Sequence, residues 1–274
     1  MFSATALPIV LSLLSVASAQ TTLYLAGDST MAAGGGGSNT QGIIMIEIST
    51  QVLPICVLGW GVPLTQYLSI PIVNDAVGGE SARSYSEQGF FTKLVNSVKS
   101  GDYVIIEFGH NDASAGAVDN GKQDAVGDGY NITSTVTTSS FAYYIENAIV
   151  ALEAKGAIPI ISSLTPDNIW TNGAIAAGGR FVTYAQSIGN RRNITYVDHY
   201  AYVAQAYDAL GQTQTTTFYP IDHLHTNAAG ANIVAQAFVR GLLCGNSPLK
   251  SKVNSAGQTV PSMYFLDVSN ENNP

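Results

Sequence analysis

The run Tyr103-Val104-Ile105-Ile106-Glu107-Phe108 constrains this chain more than any other stretch. It is β-prone and apolar at every position but Glu107, and it is bracketed by Gly101-Asp102 and Gly109-His110-Asn111-Asp112. A strand without polar alternation is buried on both faces, as in a parallel sheet with helices on either side. Such a sheet needs crossover connections, and the sequence supplies them. Four further β-prone runs lie at Thr21 to Ala26, Pro71 to Ala76, Ala157 to Ser163 and Ile194 to Val197. Helical patterns separate or follow them at Val62 to Leu68, Gly89 to Lys99, Phe141 to Lys155, Phe181 to Ile188, His199 to Leu210 and Ala228 to Leu243. The expectation is an α/β fold: a three-layer α/β/α sandwich on a parallel five-stranded sheet. With 274 residues, 46% of them apolar, the chain fills one such domain, here assigned to residues 20–250.

Composition narrows the partners. Only 11% of residues are charged, and 19 Asp and Glu outweigh 11 Lys and Arg, with no basic patch. That balance argues against nucleic acid and against an anionic membrane surface. The apolar run Leu7 to Leu14, followed by Val16-Ala17-Ser18-Ala19, fits a secretory leader over residues 1–19 with cleavage after Ala19, and it is too short to span a bilayer. Secretion is therefore expected, and the sequons at Asn131 and Asn193 fit glycosylation on that route. Cys56 and Cys244 are the two cysteines, which excludes a Cys metal cluster and allows at most one disulfide. The sequence says nothing direct about assembly; a monomer is expected.

Residues 43–59 stand out as a nearly uncharged, β-prone segment between a polar glycine loop, Gly34 to Asn39, and Trp60-Gly61. Exposed, such a segment is an aggregation hazard. Its removal joins Gly42 to Trp60 in frame, so it reads as an anomalous insert of the kind a retained intron or a gene-model error leaves, with a genuine extra hairpin as the alternative. The glycine run before it lacks the spacing and the Lys-Ser/Thr of a phosphate loop and reads as a mobile rim.

Chemistry gathers at the ends of the strands. Gly27-Asp28-Ser29 is a turn directly after the first strand, where a serine hydroxyl faces the crevice at the carboxyl end of the sheet. Asp222-His223-Leu224-His225 precedes the last helix. Three residues apart in a loop, the Asp222 carboxylate can hold one ring nitrogen of His225 while the other faces outward, which is the orienter and base that a serine nucleophile needs. Gly79 permits close backbone approach to a ligand, and a free N–H there binds an anion. His223 is the rival base. His110, Asp112 and His199 are the further ligands that a metal site at Asp222, His223 and His225 would require. Asn168-Ile169-Trp170 is placed to line a cleft, and Glu80 and Arg83 are candidates for its polar rim.

Gly27-Asp28-Ser29, Gly79, Gly109-His110-Asn111-Asp112 and Asp222-x-x-His225 resemble, in order, the four blocks of the SGNH (GDSL-like) hydrolases, whose fold is flavodoxin-like. The phrases Gly-Asp-Ser-Thr-Met-Ala, Ser-Ala-Arg-Ser-Tyr, Glu-Phe-Gly-His-Asn-Asp and Pro-Ile-Asp-His-x-His-Thr look like those of rhamnogalacturonan acetylesterases. The resemblance runs from about Thr22 to Cys244. It implies Ser29 as nucleophile, His225 as general base and then acid, and Asp222 as orienter. The oxyanion hole would comprise the N–H groups of Ser29 and Gly79 with the Asn111 amide. Asp28 would stabilise the turn and His110 would sit behind Asn111. The implied activity is hydrolysis of acetyl esters on an acetylated plant cell-wall polysaccharide, with no cofactor and no metal. Acetylxylan or lipid esters, and an inactive carbohydrate-binding homologue, are the alternatives. Two departures stand out: Gly78 precedes Gly79 where alanine is usual, and no cysteine follows Cys244 to pair with it. The stretch after residue 250 accordingly reads as a tail, suspect from Asn254 to Pro274.

Overall fold

A computed structural model describes residues 20–35, 43–48, 51–113, 119–124 and 139–262. The leader and the Asn131 sequon lie outside these. Five strands form one parallel sheet in the order β4-β1-β5-β6-β9: β4 (Ile72–Asn74), β1 (Leu23–Gly27), β5 (Tyr103–Glu107), β6 (Ile158–Ser162) and β9 (Thr195–Val197). β1 pairs in register with β5 from Leu23↔Tyr103 to Gly27↔Glu107, which sets the Ser29 turn beside the Gly109 to Asp112 loop.

Side-chain alternation sorts the two buried faces. Leu23, Leu25, Ile105 and Ile160 pack into one cluster with α5 (His199–Leu210) and α7 (Ala228–Cys244). Tyr24, Ala26, Val104, Ile106 and Ile161 pack into the other with α1 (Ala82–Glu87), α2 (Phe90–Ser97), α3 (Phe141–Ala154) and α4 (Arg180–Arg192). This is the three-layer sandwich expected from the sequence, and the parallel sheet is covered on both faces as its apolar strands require. Short pieces complete the fold: a hairpin of β7 (Trp170–Thr171) with β8 (Ala174–Ile175), α6 (Gln212–Thr216) and α8 (Ser255–Gln258). Among the described residues no helix is long and apolar enough to cross a membrane.

Two expectations need correction, and one helix adds to them. The helix at Val62 to Leu68 is a single 3-10 turn, Pro63–Gln66, because Leu68 leaves it to bridge Val253. The segment after Gly79 is a helix, α1, opened by a capping box in which the Ser81 and Ser84 side chains each bond the other's backbone N–H. The folded part also extends past residue 250. Asn254 caps α8, its side chain donates to Gln66 and Leu68 carbonyls, and Val260 is buried in the first cluster.

The anomalous segment divides in two. β2 (Ile43–Ile48) and β3 (Gln51–Cys56) form an antiparallel sheet of their own. Val57 to Gly59, by contrast, belong to the body. Val57 is 1% exposed. A Cβ at Gly59 would lie 2.3 Å from the Ala32 carbonyl oxygen, so only glycine fits there. Both cysteines are free thiols, Cys56 exposed and Cys244 half-buried.

The core carries one buried charge hub. Glu107 at the end of β5 is 2% exposed; Trp60 Nε1 donates to its Oε1 at 2.9 Å, and Ser162 Oγ donates to Oε2 at 2.6 Å. His199 Nδ1 lies 2.8 Å from the same Oε2, while its Nε2 is 2.9 Å from the Val234 carbonyl. A carbonyl only accepts, so Nε2 carries a hydrogen. One further proton must then lie between His199 and Glu107. Trp60 stacks on Phe238 at 4.9 Å between ring centroids and meets the His199 ring edge-on at 4.8 Å.

Two outcomes follow. Glu107→Ala strands an indole N–H, a hydroxyl and an imidazole in the core and should cost about 3–5 kcal/mol in denaturant unfolding, with Glu107→Gln losing less because it keeps an acceptor for Trp60. Gly35 and Val57 are in contact, since a Cβ at Gly35 would lie 2.9 Å from a Val57 methyl. Residues 36–42 therefore suffice to join them, and deleting Ile43 to Cys56 should leave the unfolding midpoint unchanged or higher, the shorter loop saving about 1 kcal/mol of closure entropy. A collapse of the midpoint would show that the hairpin supports the body.

Candidate active site

The Ser29 turn is fixed by its neighbour Asp28. That carboxylate is 1% exposed and accepts from both the N–H and the hydroxyl of Thr30, at 2.9 and 2.8 Å. Burial pushes the Asp28 carboxyl up, against the pull of His110 and the Thr30 bonds. A second chain segment holds the turn from outside: Trp60 N–H donates to Thr30 O and Gly59 N–H to Ala32 O, at 2.9 and 3.0 Å. The preceding residue, Leu58, exchanges two bonds with Thr226, N–H to Thr226 O at 2.8 Å and Thr226 Oγ1 to Leu58 O at 3.0 Å. One strip of backbone thus ties the Ser29 turn to the loop that carries His225.

Across that junction, Ser29 Oγ is 2.9 Å from His225 Nε2, and His225 Nδ1 is 2.6 Å from Asp222 Oδ2. Asp222 Oδ1 accepts from the N–H groups of Leu224 and His225 at 2.8 and 2.7 Å. Burial alone would raise the Asp222 carboxyl, but the His225 ring and these two N–H groups outweigh it and hold it below the usual carboxylate range. The carboxylate therefore stays ionised and takes the Nδ1 hydrogen, leaving the Nε2 lone pair on Ser29.

Gly79 has φ +79°, a conformation that glycine adopts without strain. The Asn111 amide donates one of its two hydrogens to Glu80 O at 3.0 Å. Neither the Ser29 nor the Gly79 N–H meets an acceptor among the described residues.

The other sequence candidates fall elsewhere. The His223 side chain is 62% exposed and 3.9 Å from Asp167, away from the serine. His110 Nδ1 lies 3.5 Å from Asp167, with Nε2 3.4 Å from Thr165 Oγ1. His199 is spent in the core, and among the described residues no three His, Cys, Asp or Glu side chains converge to hold a metal ion. Glu80 and Arg83 are not an exposed rim. Each is 9% exposed; Glu80 accepts from Gln88, and Arg83 pairs with Asp119 and Glu87. Asp119 lies 36 residues from Arg83 and Gln88 eight from Glu80, whereas Arg83 and Glu87 are an i,i+4 pair on α1, a sign that becomes legible only once that helix is known. Ile169 lines a cavity of about 190 Å³ flanking the site with His110, Thr165, Asp167 and Tyr200, whereas Trp170 packs on the core.

With this geometry in place, comparison with known proteins is decisive. The model of the GDSL-like Lipase/Acylhydrolase family matches residues 23–238. The chain belongs to that family. It is a serine esterase. It is 43% identical over 246 residues to a rhamnogalacturonan acetylesterase of Emericella nidulans, covering 87% of this chain and 91% of the relative. It is 24% identical to a probable rhamnogalacturonan acetylesterase, YesY, of Bacillus subtilis, covering 84% and 96%. Among solved structures, the YxiM protein of Bacillus subtilis superposes with a TM-score of 0.64 at 22% identity over 82% of this chain, which spans 56% of that one. A mutant acetylxylan esterase of Geobacillus stearothermophilus superposes at 0.51 and 15% identity, covering 83% and 96%. These structural likenesses concern the fold.

Behind Asn111 lies a buried acid pair. Asp112 is 0% and Asp124 3% exposed; Asp112 Oδ1 accepts from Ala82 N–H at 2.8 Å, and neither Asp124 oxygen meets a donor. The two carboxyls interact, and burial is the main cause that pushes both up: the Asp112 charge raises Asp124 further, while the bond from Asp124 and the Ala82 N–H pull Asp112 part of the way back, so that the pair keeps a proton between them. Unfolding releases that proton above the ordinary carboxylate range, near pH 4. This contribution to stability is therefore full in acid and declines as pH rises through neutral and alkaline values. Thermal midpoints should fall between pH 5 and pH 9, less steeply in Asp124→Asn, whose amide donates permanently. Parallel profiles would show that the pair holds no proton.

Proposed function

We propose that the protein is a secreted acetylesterase that removes acetyl groups from rhamnogalacturonan through an acyl-enzyme intermediate. The observation that carries the mechanism is the unbroken chain Ser29 Oγ, His225 Nε2, His225 Nδ1, Asp222 at 2.9 and 2.6 Å. The relative 43% identical to this chain supports the substrate. The leader-like residues 1–19 and the sequon at the exposed Asn193 support secretion.

The steps use only these residues. His225 Nε2 takes the Ser29 proton as Oγ attacks the acetyl carbonyl, and Asp222 stabilises the imidazolium. The negative oxygen of the tetrahedral intermediate meets the Ser29 and Gly79 N–H groups and the remaining Asn111 amide hydrogen. Donors already in place cost no reorganisation as charge develops, which is why each matters. His225 then protonates the departing sugar hydroxyl. Water, deprotonated by the same nitrogen, attacks the acetyl-serine, and acetate leaves with Ser29 restored.

Ser29→Ala should abolish acetate release while the unfolding curve stays within about 1 kcal/mol, since only the hydroxyl is lost. Asn111→Ala should lower kcat by about a hundredfold to a thousandfold with little change in KM. Undiminished turnover in Ser29→Ala would refute the mechanism. Acetate release from acetylated rhamnogalacturonan, acetylxylan and an aryl acetate measured side by side tests the substrate. Selective release from rhamnogalacturonan supports it; cleavage of the aryl ester alone keeps the triad and removes the substrate.

A further inference from the structure

The loop from Asp119 to Asp124 spends its polar groups on its own shape. Asp119 receives Arg83 Nη1 and Nη2 on its two oxygens at 2.8 and 2.9 Å and also accepts Gly121 N–H at 2.8 Å. Asn120 Oδ1 accepts the N–H groups of Lys122 and Gln123 at 2.8 and 3.0 Å, and Gln123 Oε1 accepts Asn120 N–H at 2.8 Å. Gln123 O takes a further bond from Arg83 at 3.1 Å, and Asp124 N–H donates to Asp112 O at 3.1 Å. Arg83 stands at the start of α1, four residues after Gly79, so the loop is bolted to the backbone that supplies Gly79.

One charged side chain in this loop is not consumed. A Cβ built at Gly79 would lie 3.5 Å from Lys122 Nζ and would meet no other atom within 4 Å. The ammonium thus stands over the open face of Gly79. Arg83, Arg191 and Arg192 all pair with carboxylates, whereas Lys122 forms no ion pair among the described residues. An unpaired cation at the mouth of a site in a chain of net charge −8 is an arrangement for receiving an anion.

We propose that Lys122 is a specificity-determining residue that binds a uronate carboxylate of the polysaccharide, an inference that rests on the rhamnogalacturonan reading above. The carboxylates of the uronic acid units are repelled by the protein as a whole, and Lys122 supplies the local attraction that seats one of them while the neighbouring acetyl group enters the site. Arg83 and Asp119 act as positioning residues by fixing the loop. The contact is made equally in the ground state and the transition state, so it governs KM rather than kcat.

The test measures kcat and KM for the wild type, Lys122→Met and Lys122→Arg on acetylated rhamnogalacturonan oligomers and on 4-nitrophenyl acetate, at low salt and at about 0.5 M salt. Expected for Lys122→Met is a KM on the oligomers raised about tenfold at low salt, kcat within about threefold, aryl ester hydrolysis unchanged and the salt dependence lost. Lys122→Arg restores the low KM. Methyl-esterifying the oligomers should weaken the wild type by a similar factor and leave Lys122→Met indifferent. An equal loss on the aryl acetate would overturn the proposal by placing Lys122 at the oxyanion, and so would no change on either substrate. If the wild type cleaves the aryl acetate but not the oligomers, the substrate reading has failed. Lys122 is then judged on acetylated galacturonate against acetylated galactose: a preference for the charged ester that Lys122→Met abolishes upholds the proposal, and equal kcat/KM on both overturns it.

Discussion

The backbone strip Leu58-Gly59-Trp60 is the constraint on which the catalytic geometry depends. The nucleophile turn and the base's loop come from opposite ends of the chain, and neither element touches the other through the sheet. The strip bonds Ala32 and Thr30 on one side and Thr226 on the other. It can do so because Gly59 has no side chain to push Ala32 away. Trp60 then anchors it through an indole bond to Glu107 and a stack on Phe238. The position of the strip is therefore set by the core rather than by the surface loops that flank it.

Two kinds of buried charge surround this junction, and they behave oppositely. Glu107 is fully partnered by Trp60, Ser162 and His199 and joins β5, β6, α5 and the strip into one unit. A polar hub so satisfied favours one arrangement of its neighbours over any other. Asp112 and Asp124 are short of side-chain donors, and burial pushes both carboxyls up. The first network ties four elements of the core together, while the second binds the Lys122 loop to the Asn111 loop most firmly in acid.

The sheet was legible because its strands are buried on both faces and therefore read as apolar runs, and α3, α5 and α7 because their periodicity ends at Gly156, Gly211 and Gly245. α1 was not, since its capping box uses Ser84 where the familiar signal is Glu or Gln. α4 runs on to Arg192 past Gly189, which looks like a stop but is where Tyr196 presses against the helix, 2.9 Å from a Cβ there. The triad residues were readable as a pattern of types, with His225 preferred to His223 because the family resemblance places the base three residues after the acid. What no local pattern carried was the long-range wiring: Arg83 to Asp119, Glu107 to His199, and Leu58 to Thr226. The boundary of the anomalous segment was misplaced for the same reason, because the packing of Val57 to Gly59 depends on Ala32 and Thr226 rather than on neighbours in sequence.

Asp222 grips His225 by both its ring and its backbone N–H, all within a span of four residues. The acid and base are thus bonded to each other within one short loop. The serine, 196 positions away in sequence, is the only member whose distance is decided by the whole chain. Turnover in this protein consequently reports on the last and longest closure of the fold: a chain with every helix formed and its imidazole correctly oriented stays silent until its two ends meet, so that recovered activity during refolding measures completed topology rather than secondary structure.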